Sequence, residues 1–501
     1  MRLLTRDLLS SQSDLHTSCH ISQSVPERIL QIGEGVFLRG FADWLIDRVN
    51  AAGHVGGRIV IAAPRPSGAR NIECFRKQDG LYTVLLRGIE DGVTVDRQEI
   101  VSSVSRAIDP HNEWPDFLAC ARQREIDVVI SNTTELGIQY VPQAYVAGQV
   151  QQTYPAKLAA YLYERYQAFA GDPQAGMTVL PCELIDDNGA RLRDIVIRHS
   201  EDWALPEAFV EWLKSYNVFC NTLVDRIVTP FAPDADGAPQ LPYADQLAVV
   251  AEPFHMWAIE GGDHLQTRWP FAELGLSVYF VPRIEDYRLQ KVRVLNGAHT
   301  AMACLGLLAQ KQTVLDVMSH PVFQAFVEEL IWSEIVPIVG SQVGDSEVLE
   351  RFARDVIDRF RNPFLHHALT SIAANSLAKA RIRLVPTIVE YAACRGASPP
   401  LAAAAIAMLC YACYPSHEQM GIEDPLRVRL AEIWRNDLDA DASGTVTALL
   451  QASDVWGCDL AALPGLPGMV QEVIRLARER GVVEAIAEWL HVNPASETAR
   501  R

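Results

Sequence analysis

Three polar side chains interrupt the mostly apolar stretch KVRVLNGAHTAMACLGLL (residues 291–308): Lys291, Asn296 and His299. Each type has a place in carbonyl chemistry. An ammonium in an apolar wall has a lowered pKa, can give a proton to a carbonyl oxygen, and takes it back in the oxidation. A side-chain amide donates to the developing alkoxide. An imidazole hydrogen-bonds the same oxygen or a neighbouring hydroxyl. At roughly 100° per residue, Asn296 falls about 140° and His299 about 80° from Lys291, on one broad face. Singly, the three also fit a snorkelling lysine, an Asn-Gly break and a core histidine. Together they point to chemistry.

A proton donor for a carbonyl calls for a hydride source. RILQIGEGVFLRGF (28–41) sets Gly33 and Gly35 between a strand and a helix, where a pyrophosphate can meet free amides. Glu34, Val36 and Phe37 complete this candidate cofactor loop. The usual third glycine is absent and Leu38 stands there. Arg39 either approaches the phosphates or is a solvated helix charge. The second strand ends in IAAPRPSGAR (61–70) without an acid for a ribose 2′-hydroxyl. Arg65 there can accept a 2′-phosphate, stack on adenine or face solvent, so these residues leave NAD and NADP both open. ISNTTELGI (130–138) places Asn132, Thr133 and Glu135 at another strand end, within reach of a nicotinamide ribose or simply in a capped loop.

The elements that must position these groups change character along the chain. Strand-like runs at 28–32, 57–63, 81–89, 127–133 and 176–185 alternate with helical spacing, as at 37–53. That alternation predicts a doubly wound α/β sheet. From about 285 the periodicity is helical throughout and is punctuated by Pro321, Pro363, Pro386 and Pro399. The expected organisation is a polar, poorly ordered tail over 1–24, a Rossmann-like dinucleotide domain over 25–280, and a mostly α-helical substrate and catalytic domain over 281–501.

With 501 residues, 49% hydrophobic and 21% charged, the chain has the balance of a globular protein. Its formal charge of −18 disfavours nonspecific binding of nucleic acid or anionic membrane. No secretory leader is seen, and LAAAAIAMLCYACY (401–414) is too short to span a bilayer. Ten scattered cysteines suit reduced thiols and a cytoplasmic address. Cys410 and Cys413, the one C-x-x-C pair, read as buried thiols. Glu252 and His255 in EPFHMWAIEGG are three apart but make no metal site alone, so no metal is expected. His255 is a candidate substrate contact at an active-site edge, or part of a packed turn. His366 and His367 read as a helix surface.

The set Lys291, Asn296 and His299, in the pattern K-x-x-x-x-N-x-x-H, resembles the signature of the long-chain polyol dehydrogenase family that includes mannitol dehydrogenase. ERILQIGEGVFLRGFADW, QDGLYTVLLRG, SNTTELGI, LPCELIDDNG, VDRIVTP, AEPFHMWAIEG and KVRVLNGAHTAM are similar to its tagaturonate reductase branch, from about 27 to 304. The resemblance implies a metal-independent, NAD-linked oxidoreductase that interconverts D-tagaturonate and D-altronate, with Lys291 as general acid/base. It also implies that Asp225 is an acid near that lysine and that Lys379 is a substrate-facing lysine; alone, they read as a surface acid paired with Arg226 and a solvated charge. Two positions depart from mannitol enzymes: Glu183-Leu184 follows Cys182 where an Asp-Asn supplies a second oxyanion amide, and Ser371 replaces an arginine. Arg288, Arg293, Lys379 and Arg383 are all candidates to hold a substrate carboxylate. Mannitol, arabinitol or fructuronate as substrate, or a nonenzymatic dinucleotide-binding protein, are the alternatives. Monomer and dimer both remain open.

Overall fold

Runs such as RILQI, RIVIA and VVIS have no polar face, so strands made from them must be covered on both sides. The computed structural model describes residues 1–11, 25–134, 136–234, 237–420, 422–436 and 443–493. These runs form a six-stranded parallel sheet in the order Val104–Ile108, Arg58–Ala62, Glu27–Ile32, Val128–Ser131, Thr178–Pro181, Val218–Phe219. Alternate residues serve two cores. Ile29, Ile61 and Ile130 join Leu45, Ile46 and Val49 of helix Ala42–Ala51. Leu30, Val60 and Val129 join Leu158, Tyr161 and Leu162 of helix Tyr154–Ala168. The doubly wound α/β expectation is met.

The strand order reverses beside Glu27–Ile32, whose neighbours are Arg58–Ala62 and Val128–Ser131. Just past its end, Gly33 N donates to Ala62 O (3.0 Å) and Asn132 N donates to Ile32 O (3.1 Å). Open parallel sheets bind ligands at such a reversal.

LYTVLLRGI does not join this sheet. Tyr82–Glu90 turns back as a hairpin with Val93–Val101, through Asp91 and Gly92, both at positive φ (51° and 74°). A two-residue Asp-Gly turn of this kind enforces antiparallel pairing, which a parallel crossover excludes. The hairpin belongs to a four-stranded sheet with Val249–Ala251 and Val228–Pro230. Thr222–Asp225, Met256–Glu260 and Val278–Val281 make a third, three-stranded sheet.

The chain divides into two compact units, one of Met1–Arg87 with Val95–Ile284, the other of Gly88–Thr94 with Glu285–Arg501. The second is helical. Its helix Pro400–Ala412 is buried except at Pro400 and Tyr411, and it packs against Asn296–Leu308 and Leu466–Arg480. That burial explains its lack of a polar stripe. Among the described residues, no helix is long and apolar enough to cross a membrane.

The expected polar tail is corrected over residues 1–11. Leu4, Leu8 and Leu9 are buried with Leu81, Leu85, Ile100 and Tyr243, and Leu4 N donates to Ala244 O (2.9 Å). Leu4, just before the short helix Arg6–Ser11, and Leu8 and Leu9 on it outweigh the segment's polar composition. Residues 12–24 lie outside the described residues.

Candidate active site

The first unit places the glycine loop at the strand-order reversal. Gly33 has φ 135°, and a Cβ there would lie 2.8 Å from Asn132 O, so only glycine fits. A Cβ on Gly35 would meet nothing within 4 Å. That side of the loop is open to a ligand. The single helix expected over 37–53 is instead two, Val36–Arg39 and Ala42–Ala51, broken at Phe41 (φ −130°, ψ −90°). Gly40 explains the break: a Cβ there would lie 2.6 Å from Val228, so the chain is pressed against strand Val228–Pro230. A one-turn helix offers local amides more than a macrodipole. The side chains of Val36 and Phe37 pack on the core, with Phe37 stacked on Phe41 (4.9 Å), leaving their backbone to the loop.

Arg39 is no solvated charge. It is 5% exposed, and its Nη1 donates to Glu34 O (3.1 Å), bracing the loop from behind. Burial pulls its pKa down, against the pull of Tyr82 and Asp43. Asp43 is itself pushed up to about 7 by burial, although it accepts a bond from Tyr82 Oη (2.9 Å). Glu34 fills part of the space left by the missing strand-end acid. A Cβ on Gly68, in the turn after strand Arg58–Ala62, would lie 2.7 Å from Glu34 Oε1. Burial raises the Glu34 pKa.

Exposed Arg65 lines a hollow with Pro64, Thr133, Gly137, Gln152 and Tyr154. Thr133 in its wall is held by Glu183, the residue after Cys182. Glu183 is buried and accepts from Ser131 Oγ (3.0 Å), Thr133 N (2.9 Å) and Thr133 Oγ1 (2.9 Å). Burial raises its pKa, opposed by these bonds. Asn132 Nδ2 donates to Cys182 O (2.8 Å). Thr133, so fixed, lines the hollow, and Asn132 ties the same strand end to Cys182. The next residue, Thr134, has φ 78°, a costly conformation for a β-branched residue that persists where surroundings over-determine it. Glu135 lies outside the described residues. The open face of Gly35 and the hollow along Arg65 and Thr133 fit a dinucleotide laid across the strand ends.

His255 is corrected from a substrate contact to a structural residue. It is buried, its Nδ1 bonds Pro253 O (3.0 Å), and Ser277 N donates to its Nε2 (3.1 Å). Both nitrogens are engaged, and burial followed by Arg226 depresses its pKa to about 3. Glu252 Oε1 accepts from Ile227 N (2.6 Å). Asp225 ends the strand Thr222–Asp225 and is buried rather than a surface acid. Its neighbour Arg226 is buried too, donating to Glu252 O (2.8 Å) and Gly40 O (2.7 Å) with its guanidinium 4.2 Å from the Trp44 ring.

In the second unit, Lys291–Leu295 is a π-helical turn, and Asn296 N donates to Lys291 O. A regular α-helix would hold Asn296 about 140° from Lys291. The i→i+5 bond of a π-turn stacks it nearly one turn above Lys291. Helix Asn296–Leu308 then brings His299, three residues on, to the same side. Lys291, Asn296 and His299 are all half-buried, so the lysine is not sealed in an apolar wall. His299 packs against Phe360 (4.4 Å between rings) and His367 (5.0 Å). His366 and His367 lie in a loop before helix Leu369–Ala373, not on a helix surface. Nothing in the sequence pattern around His367 signals its meeting with His299.

Of the candidate cations, Arg293 is committed: it is buried and bonds Thr387 Oγ1 (2.7 Å) and Glu390 Oε2 (2.5 Å). Lys379 Nζ donates to Ile372 O (2.9 Å), and Arg383 Nη1 lies 3.3 Å from Thr300 Oγ1. Both ride on helix Ser376–Arg383, whose start is held by Asp424: Leu377 N donates to its Oδ2 (2.7 Å). Cys410 and Cys413 are buried, and burial raises both thiols above their ordinary range.

The sequence matches the mannitol dehydrogenase Rossmann domain over residues 27–271 and the mannitol dehydrogenase C-terminal domain over residues 283–475. The chain belongs to the mannitol dehydrogenase family. It is 39% identical over 466 residues to the altronate oxidoreductase of Bacillus subtilis, covering 93% of this chain and 95% of that one. The altronate oxidoreductase of Halalkalibacterium halodurans is 37% identical, with 98% of each chain covered. That of Escherichia coli is 38% identical, over 92% of this chain and 96% of its own. Mannitol 2-dehydrogenase of Pseudomonas fluorescens, solved with NAD and D-mannitol, shares the fold with a TM-score of 0.64 at 20% identity (98% and 100% covered). A D-sorbitol dehydrogenase gives 0.75 at 19% (97% and 100% covered). In this mannitol dehydrogenase family chain, the carboxylate after Cys182 supports a strand-end loop, and Leu184 beside it is exposed.

Proposed function

We propose that this chain is an NAD-dependent oxidoreductase that reversibly reduces D-tagaturonate to D-altronate in the cytoplasm. The likeness to altronate oxidoreductases over nearly the full length carries the reading. The backbone of Gly33, Glu34, Gly35, Val36 and Phe37 would hold the pyrophosphate, and Arg65, Asn132 and Thr133 would line the path to the ribose rings. When bound, the nicotinamide supplies the hydride, or accepts it in the reverse direction. Lys291 gives its proton to the ketone oxygen and recovers it in the oxidation. The amide of Asn296 donates to the oxygen as negative charge develops there. His299 bonds the same oxygen or the adjacent hydroxyl, and Lys379 meets a substrate hydroxyl. A panel of ketoses and keto acids with NADH oxidation followed by absorbance tests the reading. D-tagaturonate should give the highest kcat/KM. A higher value for fructose, or turnover of none, would refute it.

A further inference from the structure

We infer that Arg383 binds the carboxylate of the substrate and so makes this site select a sugar acid over a neutral polyol. The inference rests on the sugar-acid reading above and assigns the cation that reading requires. Helix Ser376–Arg383 comes close to helix Asn296–Leu308 because Gly297 has no side chain: a Cβ there would lie 3.2 Å from Arg383 O. That approach brings the guanidinium to Thr300, one turn along the helix from Asn296. Its Nη1 is 3.3 Å from Thr300 Oγ1, and Thr300 Oγ1 donates to Asn296 O (2.8 Å). Arg383 therefore stands one turn from Asn296, beside the helix that carries His299.

Its electrostatic surroundings are those of an anion site. Arg383 is half-buried, burial lowers its pKa, and among the described residues no carboxylate opposes that shift. Lys379, four residues earlier on the same helix, feels Arg383 as a second cation that, after burial, lowers its own pKa. Asp424 acts on Lys379 in the other direction and, through bonds from Leu377 N and Leu426 N, caps the helix that carries both cations. Arg293, a buried arginine of the same unit, already has Glu390 and shows what a neutralised guanidinium looks like here. Two half-buried cations one helical turn apart repel each other until an anion joins them. A planar guanidinium binds a carboxylate with two parallel bonds, which a hydroxymethyl group cannot reproduce.

The test compares D-tagaturonate with D-tagatose, which carries a hydroxymethyl group in place of the carboxylate, in wild type, Arg383→Gln and Arg383→Lys. Arg383→Gln should lower kcat/KM for the keto acid by roughly 30-fold or more, chiefly through KM, and at least ten times more than for the ketose. Arg383→Lys should recover part of the loss, and it serves as the test if the glutamine variant misfolds. NADH affinity, read by fluorescence titration, should hold in both variants. Equal losses on the two substrates, or an unchanged KM for the keto acid, overturn the assignment of Arg383 while leaving the sugar-acid reading in place. Wild type that fails to prefer the keto acid overturns both.

Discussion

The ring of His367 meets that of His299 edge-on, with centroids 5.0 Å apart and an interplanar angle of 82°. Burial, and then Arg359, lowers the pKa of His367, so the ring stays neutral where an ordinary imidazole begins to charge. Its stabilising effect is full above the unfolded value of about 6.5 and is lost as pH falls through the folded one. His367→Ala should lower kcat/KM by about 3- to 10-fold by freeing His299, and His367→Phe should restore most of it. Steady-state kinetics at fixed NADH decide. Equal rates in all three proteins would show that the ring contact is irrelevant to turnover.

Lys291→Ala should reduce kcat by about 10³-fold, since a positioned acid/base contributes roughly 10²- to 10⁴-fold. NADH should bind as in wild type, because the glycine loop lies elsewhere in the chain. Added methylamine should recover part of the rate. A variant within a few-fold of wild type would end the role assigned to this lysine.

Glu34 places a carboxylate against the turn that follows the second strand, where doubly wound folds meet the adenosine ribose. A carboxylate repels a 2′-phosphate there. Glu34→Gln should shift the ratio of NADPH to NADH dissociation constants by about 10-fold towards NADPH. Fluorescence titration of both cofactors reads this directly. An unmoved ratio would remove Glu34 from cofactor discrimination.

Glu334 lies in a second π-turn, Leu330–Ile335, upstream of Pro337, which lacks an amide proton. Its buried carboxyl accepts from Leu401 N and Ala402 N (2.7 Å each), capping the central helix Pro400–Ala412. Burial pushes its pKa up to about 8. The folded value exceeds the unfolded one, so the stability it contributes is full below the unfolded pKa and is lost as pH rises through about 8. Thermal melts from pH 5 to 9 should show wild type losing stability with a slope of at most about 1.4 kcal/mol per pH unit from this group. Glu334→Gln should flatten that slope. Parallel slopes in the two proteins would mean that Glu334 does not titrate in this window.

The parallel sheet was legible because continuous apolar runs such as RIVIA leave no other way to be covered. The glycine loop was legible because a strand, two glycines and an apolar helix follow one another locally. What was missed depends on distant chain. The break at Phe41 follows from Val228 pressing on Gly40, nearly two hundred residues away in sequence. His255 looked chemical by type, yet burial between Pro253 and Ser277 engages both its nitrogens. Glu183 looked like a lost amide because its partners, Ser131 and Thr133, lie on another strand end. Leu4, Leu8 and Leu9 were masked by polar neighbours, although their spacing already described a small apolar face.

The π-turn at Lys291–Leu295 has one more consequence. Substitutions inside it change side chains but not the count of residues between Lys291 and Asn296. Removing a single residue lets the segment relax into an unbroken α-helix, with every amide still bonded and the apolar wall intact. Such a chain would pass every measure of folding. In such a chain the lysine would stand four residues, about 40°, before the asparagine and stay on the same face, so the site tolerates loss of the extra residue better than loss of either side chain.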